Sequence, residues 1–406
     1  MNIVNPLVEK QYTEWVYPEP ISDLSTWVKH SAIACDPVRH HALIWPDRSY
    51  NPDLSILAAG CGTSQAAILA YTHPKARVVG VDISPSSIAC TAQLKIKHNL
   101  DNLELYQMDL HKIAGLKRKF DLIYSTGVLH HLPDPQKGLE AITDVLEDRG
   151  TMILMLYAKY ARLGVYMIQE ALQRLGLEQT PADVMLTRHV ISSLPPAHVA
   201  QPYIRGAALD IVHDAGMVDT FLHRQDRAFS VPDILAMTAS CNLRFQGWLD
   251  NLDYYPDGNV PSDHPIYQKL VSLPDEEQWA VVELLVQLLG CHSFFLRKKC
   301  VAEHTFRIDF NSRSFLQTVP AYRHGLNVTA AANMTAISRS WHNLSLEGWE
   351  RDVFSSIDAR RTCGEIIAAQ TSGQNGHEEK VRCFFARLWR LGHLTFRHQE
   401  GHGSSP

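Results

Sequence analysis

Five features are missing from these 406 residues, and each absence speaks against a class of protein. No two cysteines stand in a C-x-x-C spacing; the eight, at 35, 61, 90, 241, 291, 300, 363 and 383, are scattered. That distribution fits reduced, buried thiols and speaks against a disulfide framework or a cysteine-based zinc site. Histidine is plentiful at 21 residues, yet no H-E-x-x-H occurs among them, so no metal is expected. The longest apolar runs, at 152–157 and 281–289, fall well short of the roughly 20 residues that span a bilayer. The opening residues lack the basic and apolar blocks of a signal peptide, so a cytoplasmic protein is expected. Positive charge is not in excess either. A formal net charge of -5 argues against a chain that coats nucleic acid or anionic lipid.

The informative stretch begins where Leu54, Ile56 and Leu57 give way to Ala59-Gly60-Cys61-Gly62-Thr63-Ser64. Glycines at the end of a strand turn the backbone tightly and leave no Cβ between a bulky ligand and the following helix N-terminus. A second apolar run, Val78-Val79-Gly80-Val81, stops on Asp82, where a carboxylate can accept hydrogen bonds from both ribose hydroxyls. The pair predicts a nucleoside-cofactor site. A dinucleotide site would need a third glycine three residues after Gly62, and Gln65 stands there.

Two more motifs follow in order. Leu103-Glu104-Leu105-Tyr106 leads to Met108-Asp109, and Phe120-Asp121-Leu122-Ile123-Tyr124 leads to Ser125-Thr126-Gly127-Val128-Leu129-His130-His131-Leu132-Pro133-Asp134. In order and spacing the four resemble the class I S-adenosylmethionine-dependent methyltransferases, especially the small-molecule branch that includes quinone-biosynthesis enzymes. The resemblance is sharp over 54–157 and only topological from there to about 298. Two positions depart from the family pattern: Ala58 stands where an acid is usual, and Ser64 where a third glycine is common.

The resemblance implies S-adenosyl-L-methionine as cofactor. Its implied binding residues are Ala59, Gly60, Cys61, Gly62 and Gln65 from the glycine loop, Asp82 and Ile83 after strand two, Asp109 and Leu110 after strand three, and Ser125 and Thr126 after strand four. Asp82 would hold the ribose hydroxyls, and Asp109 or the backbone of Leu110 the adenine edge. An Asp just beyond a strand also serves as a helix cap, and that reading stays beside the first. His130 and His131 follow strand four on the wall between cofactor and acceptor. A histidine there is a candidate general base, with His131 preferred; packing or capping is the competing role. Beyond strand five, Tyr157, Lys159, Tyr160 and Arg162, joined by His223, border the expected acceptor pocket and suit an anionic or phenolic substrate. Methylation of a nucleobase amine is not expected: enzymes of that kind resemble one another in a polar residue, Pro-Pro and an aromatic where this chain has Ser125-Thr126-Gly127-Val128.

Apolar strands alternating with amphipathic helices over 54–156 predict an α/β fold: a doubly wound, Rossmann-like sheet of seven strands, with the motifs gathered at the carboxyl ends of the strands. Residues 1–48 read as an aromatic leader and helical cap. Residues 49–300 read as the methyltransferase domain, with a helical lid inserted over about 159–229 and broken at Leu194-Pro195-Pro196. Residues 301–397 read as a small winged-helix-like accessory domain with helices over about 346–370 and 378–391, a polar tract at 371–376 between them, and a disordered tail over 398–406. The expected activity is methyl transfer to an oxygen or nitrogen of a small metabolite or natural-product intermediate, with no nucleic-acid or membrane partner and with a homodimer left open. The alternatives are a peptide or protein methyltransferase that recruits its substrate through the last domain, and a cofactor-binding regulatory protein without turnover.

Overall fold

The structure is a computed structural model and describes residues 5–286, 290–330, 334–370 and 376–398. Most of the expected tail lies outside these residues, as do positions 371–375 of the polar tract and 287–289 of the last apolar run.

Seven strands form the central sheet: β1 (Ser55–Ala59), β2 (Arg77–Asp82), β3 (Leu103–Gln107), β4 (Phe120–Thr126), β5 (Leu146–Tyr157), β6 (Leu243–Trp248) and β7 (Cys291–Lys298), in the order β3-β2-β1-β4-β5-β7-β6. Strands β1 to β5 pair in parallel, and β7 runs antiparallel to β5. Ile56, Leu57, Ala58 and Ala59 are fully buried along β1. A strand covered on both faces by helices needs an unbroken apolar run of this kind rather than an alternating one. The chain winds one way from β1 to β3 and the other way from β4 onward. Between β1 and β4 the two directions part, and a crevice opens at their carboxyl ends, where ligands bind in open α/β sheets.

The helix Pro85–Lys97 starts as its sequence predicts: the Ser84 hydroxyl accepts from the Ser87 amide, and Pro85 occupies the first turn. Helix Pro135–Asp144 begins in the same manner, with the Asp134 side chain accepting from the Lys137 amide. After β5 the chain leaves the sheet for a helical insertion, Leu163–Arg174, Pro181–Ser193, Gln201–Gly206, Ala208–Ile211 and Asp214–Phe221. Its second helix ends at Ser193, immediately before Leu194-Pro195-Pro196, because proline lacks an amide hydrogen and disfavours helical geometry in the residue before it. Val165, Ile168, Leu172, Val184, Val218 and Phe221 close the insertion's own apolar core. It returns to the sheet where the Phe229 amide donates to the Tyr157 carbonyl at 2.8 Å.

The chain divides into two compact units. The first comprises 1–33, 52–245 and 287–299; the second comprises 34–51, 246–286 and 300–406. The second unit is therefore assembled from three stretches, which a linear division of the sequence near residue 300 does not convey. It holds an antiparallel pair, β8 (Thr318–Tyr322) with β12 (Leu394–His398), and a three-stranded antiparallel sheet of β9 (Asn327–Ala330), β10 (Met334–Arg339) and β11 (His342–Glu347). Its core gathers Phe315, Leu346, Phe354, Phe384, Phe385 and Phe396. The single helix expected over 346–370 is instead the end of β11 and two helices, Gly348–Ser355 and Cys363–Gln370. The break lies at Asp358, whose carboxylate accepts from the amides of Arg360 and Arg361, beside Ala359 at a φ of +58°. A local side-chain bond of this kind competes with helix continuation.

Candidate functional site

At the carboxyl end of β1 the chain turns through Gly60 and Gly62, both in the left-handed region at φ +79° and +55°. The amides of Gly60 and Cys61 both donate to the Val81 carbonyl, which ties the turn to the end of β2. A Cβ on Gly60 would stand 2.3 Å from Val128 Cγ2, so space as well as φ demands glycine there. At the end of β2, Asp82 Oδ2 accepts from the Gly62 amide at 2.8 Å and Oδ1 from the Ser84 amide at 2.9 Å. Burial pushes this carboxyl's pKa up, and the amides of Ser84, Gly62 and Ile83 pull it back down.

Beside these groups lies a cavity of about 350 Å³. Gly60, Gly62, Asp82 and Ile83 line it, and so do Asp109, Leu110 and Thr126, from the ends of β3 and β4. Asp109 also caps the turn that follows it, accepting from the His111 amide at 2.9 Å. Four of the expected cofactor residues stay behind the wall. Ala59 is buried in the sheet, and Cys61 packs its sulfur toward Gly80. The Gln65 side chain donates to Thr126 Oγ1 at 2.8 Å, and the Ser125 hydroxyl is buried. Gln65 therefore orients Thr126 rather than facing the cavity itself.

The segment 5–18 supplies another wall. Helix Pro6–Glu14 is pinned across Pro85–Lys97 by Ser84 Oγ donating to the Tyr12 carbonyl and Ser86 Oγ to the Thr13 carbonyl. Thr63 Oγ1 donates to the Pro18 carbonyl, and Asn5 Nδ2 donates to the His131 carbonyl at 2.8 Å. Asn5, Val8, Tyr12, Tyr17 and Pro18 thereby reach the cavity.

From the insertion come Asp210 and Asp219. The Tyr12 hydroxyl donates to Asp219 Oδ1 at 2.7 Å and the Tyr157 hydroxyl to Oδ2 at 3.0 Å, while Tyr17 donates to Asp210 Oδ2 at 3.2 Å. Burial raises the Asp219 pKa, which its two tyrosine donors oppose; burial likewise holds both phenols well above their ordinary value. His131 lines the cavity and stacks on His223, with ring centroids 4.1 Å apart. Its Nδ1 lies 3.3 Å from the Gln225 carbonyl, which can only accept, so the hydrogen sits on Nδ1 and Nε2 keeps its lone pair. Burial drops the His131 pKa to about 3. The ring is thus a neutral hydrogen-bond acceptor and a weak base. His130 does not reach the cavity: it is fully buried, stacks on Tyr157 at 3.8 Å and takes the Tyr157 amide on Nδ1.

Among the residues expected to bind an acceptor, only Tyr157 lines the cavity. Lys159 is exposed, and its amide is spent on the Phe229 carbonyl where the insertion rejoins the sheet. Tyr160 follows it away from the wall, with Lys159 Nζ 5.9 Å from its ring. The Arg162 guanidinium lies 3.6 Å from the centroid of Tyr157, pairs with Asp226 at 3.4 Å and donates to the Tyr203 hydroxyl, all at 1 % exposure. It braces the wall from behind. His223 is buried beneath His131, accepting the Gln225 amide on Nδ1 at 3.0 Å.

Atoms of His131, Asp219 and His223 that could ligate a metal lie within 4.8 Å of one another. In the arrangement present His131 and His223 are tied through Gln225, and His223 and Asp219 through Tyr12. The Gln225 amide fixes His223 with its hydrogen on Nε2, 3.4 Å from the Tyr12 oxygen, and both Asp219 oxygens accept from tyrosines. A metal here would displace these bonds.

Asn5, Asp210 and Tyr203 carry no local sequence signal, since only the packing of the leader and the insertion over the strand ends brings them in. Tyr12 and Tyr17 belong to the aromatic leader and Asp219 to the insertion, but no local pattern marks them as cavity residues.

Residues 51–180 match the family model described as a methyltransferase domain. An uncharacterized protein of Synechococcus sp. is 28% identical over 256 residues, which is 61% of this chain and 61% of that protein, so the match spans less than two thirds of that relative. The trans-aconitate 2-methyltransferase of Deinococcus radiodurans is 31% identical over 125 residues, 30% of this chain and 45% of the enzyme. Among solved structures, PKMT2 from Rickettsia typhi superposes with a TM-score of 0.63 at 14% identity, covering 91% of this chain and 76% of that one; it has also been solved in complex with AdoHcy. The match to a methyltransferase domain thus lies in residues 51–180, and the wider superposition shows a shared fold. These relatives do not single out the quinone-biosynthesis branch.

Proposed function

We propose that this chain is an S-adenosylmethionine-dependent methyltransferase whose acceptor is an oxygen or nitrogen of a small metabolite. The observation that carries the reading is Asp82. A half-buried carboxylate, held by the Gly62 and Ser84 amides, faces the same cavity as a glycine turn into which no Cβ fits. That pairing suits a ribose lying against the turn. Asp82 would hold the ribose hydroxyls, Asp109 and Leu110 the adenine edge, and Thr126, oriented by Gln65, the far end of the cofactor. When bound, the cofactor supplies an electrophilic methyl group on a sulfonium sulfur. The protein's part is to align an acceptor lone pair with the methyl-sulfur bond and to exclude water.

The leader and the insertion wall the cavity, which favours an acceptor small enough to be enclosed. A direct test incubates the full chain with methyl-tritiated cofactor and a cell extract, then separates products by size. Label in a product below 1 kDa that is resolved from the unreacted cofactor is expected on this reading; product label confined to polypeptide would overturn it.

A further inference from the structure

The cavity's charge narrows the acceptor further, and the argument rests on the methyltransferase reading above. Its described lining carries four carboxylates, Asp82, Asp109, Asp210 and Asp219, and no lysine or arginine. Lys159 and Arg162, which made an anionic substrate attractive in the sequence, both stay off the wall. Asp82 and Asp109 sit at the ends of β2 and β3, with the nucleoside end of the site. Asp210 and Asp219 come from the insertion, and four tyrosines that line the cavity, Tyr12, Tyr17, Tyr157 and Tyr203, accompany them. Three of these phenols donate to the two carboxylates, so their hydrogens are turned toward the acids. In a buried site of low dielectric, an approaching carboxylate or phenolate would meet like charge with little screening. A cation meets acids, together with phenol oxygens whose hydrogens are already committed and which can only accept, a set that suits an ammonium group.

We propose that the acceptor is a small aliphatic amine, primary or secondary, received as its ammonium ion by Asp219 and Asp210 and the tyrosine oxygens beside them. The ammonium passes one proton to the Asp219 carboxylate, exposing the nitrogen lone pair. Nitrogen then bonds the methyl carbon as the carbon-sulfur bond breaks, its electron pair remaining on sulfur to give S-adenosylhomocysteine. The product is the N-methylammonium ion, and Asp219 releases its proton to solvent, so each turnover frees one proton. His131 Nε2, as a neutral acceptor, orients an N–H without taking its proton.

The test uses the full chain saturated with S-adenosylhomocysteine and four probes of matched length: n-hexylamine, N-methylhexylamine, hexanol and hexanoate. A rise in melting temperature with the two amines alone is expected, as is methyl transfer to them when S-adenosylmethionine replaces the product. Asp219→Asn should lower kcat/KM for hexylamine at least tenfold and leave the Kd of S-adenosylhomocysteine within about twofold. Should that variant not fold, Asp210→Asn is read in the same way. Stabilisation by hexanoate or hexanol, or by none of the four, overturns the proposal. So does an Asp219→Asn variant that weakens S-adenosylhomocysteine as strongly as the amine, because the carboxylate would then serve the cofactor. Failure of the wild-type chain to bind S-adenosylhomocysteine at all would sink the methyltransferase reading instead.

Discussion

The Tyr12 hydroxyl donates to Asp219 Oδ1 at 2.7 Å and joins the N-terminal helix to the insertion across 207 positions of sequence. Both segments wall the cavity, so this bond holds two of its sides together. Tyr12→Phe leaves a buried carboxylate one donor short, which costs about 1–3 kcal/mol. Chemical denaturation should show that loss, and Tyr17→Phe, whose partner Asp210 is only half-buried, should lose less. Equal losses in the two variants would mean that burial at Asp219 does not set the strength of the bond.

Asp82→Asn removes the charge and one acceptor while keeping the side chain's shape. The account predicts that S-adenosylhomocysteine binds roughly 10- to 150-fold more weakly, corresponding to about 1.5–3 kcal/mol for a charged hydrogen bond. Far-ultraviolet circular dichroism should match the parent, which separates loss of binding from loss of fold.

Gly60→Ala meets two obstacles, a φ of +79° and a Val128 methyl 2.3 Å from the new Cβ. Trimming the valine in Gly60→Ala/Val128→Ala removes only the second. The single variant should be the less stable of the two in thermal melts, and the double variant should still fall below the parent by about 1–2 kcal/mol for the backbone strain. Full rescue by the double variant would show that φ costs nothing here.

Buried histidines set the acid limit of the first unit. Burial holds His131 at about 3, and pushes His130 and His223 down in the same direction. Since the unfolded ring titrates near 6.5, the unfolded chain binds protons that the folded chain does not as pH falls below that value. Stability from His131 is therefore complete above about pH 6.5 and is lost toward pH 3, by up to about 1.4 kcal/mol per pH unit. Asp226 opposes this slope: burial, stronger than the attraction of Arg162, raises it to about 6, so the folded chain holds an extra proton between about 4 and 6. Denaturation of His131→Gln at pH 7, 6 and 5 should show a shallower loss than the parent. An unchanged slope would mean that the ring is already protonated in the fold.

The doubly wound sheet was legible because β1 and β2 are short apolar runs that give way to glycine or acid, a pattern fixed by burial on both faces. Gly60, Gly62, Asp82 and Asp109 were legible for a related reason: each stands at a strand end or within three residues beyond it, so knowing the strand ends places the residue. The acceptor side was not. Lys159 and Arg162 follow β5 just as closely, yet one points to solvent and the other is drawn under the wall by Tyr157, Tyr203 and Asp226. Which side of an irregular segment faces a cavity depends on packing between distant elements, and no local periodicity records it. The second unit shows the same limit, since residues 34–51 and 246–286 join 300–398 by tertiary contact alone.

Calorimetric titration of the purified chain with S-adenosylmethionine and S-adenosylhomocysteine, with NAD as control, tests the central claim most directly. The account predicts micromolar binding of the first two at one site per chain and no heat from NAD. Binding of NAD, or of none of the three, would contradict it.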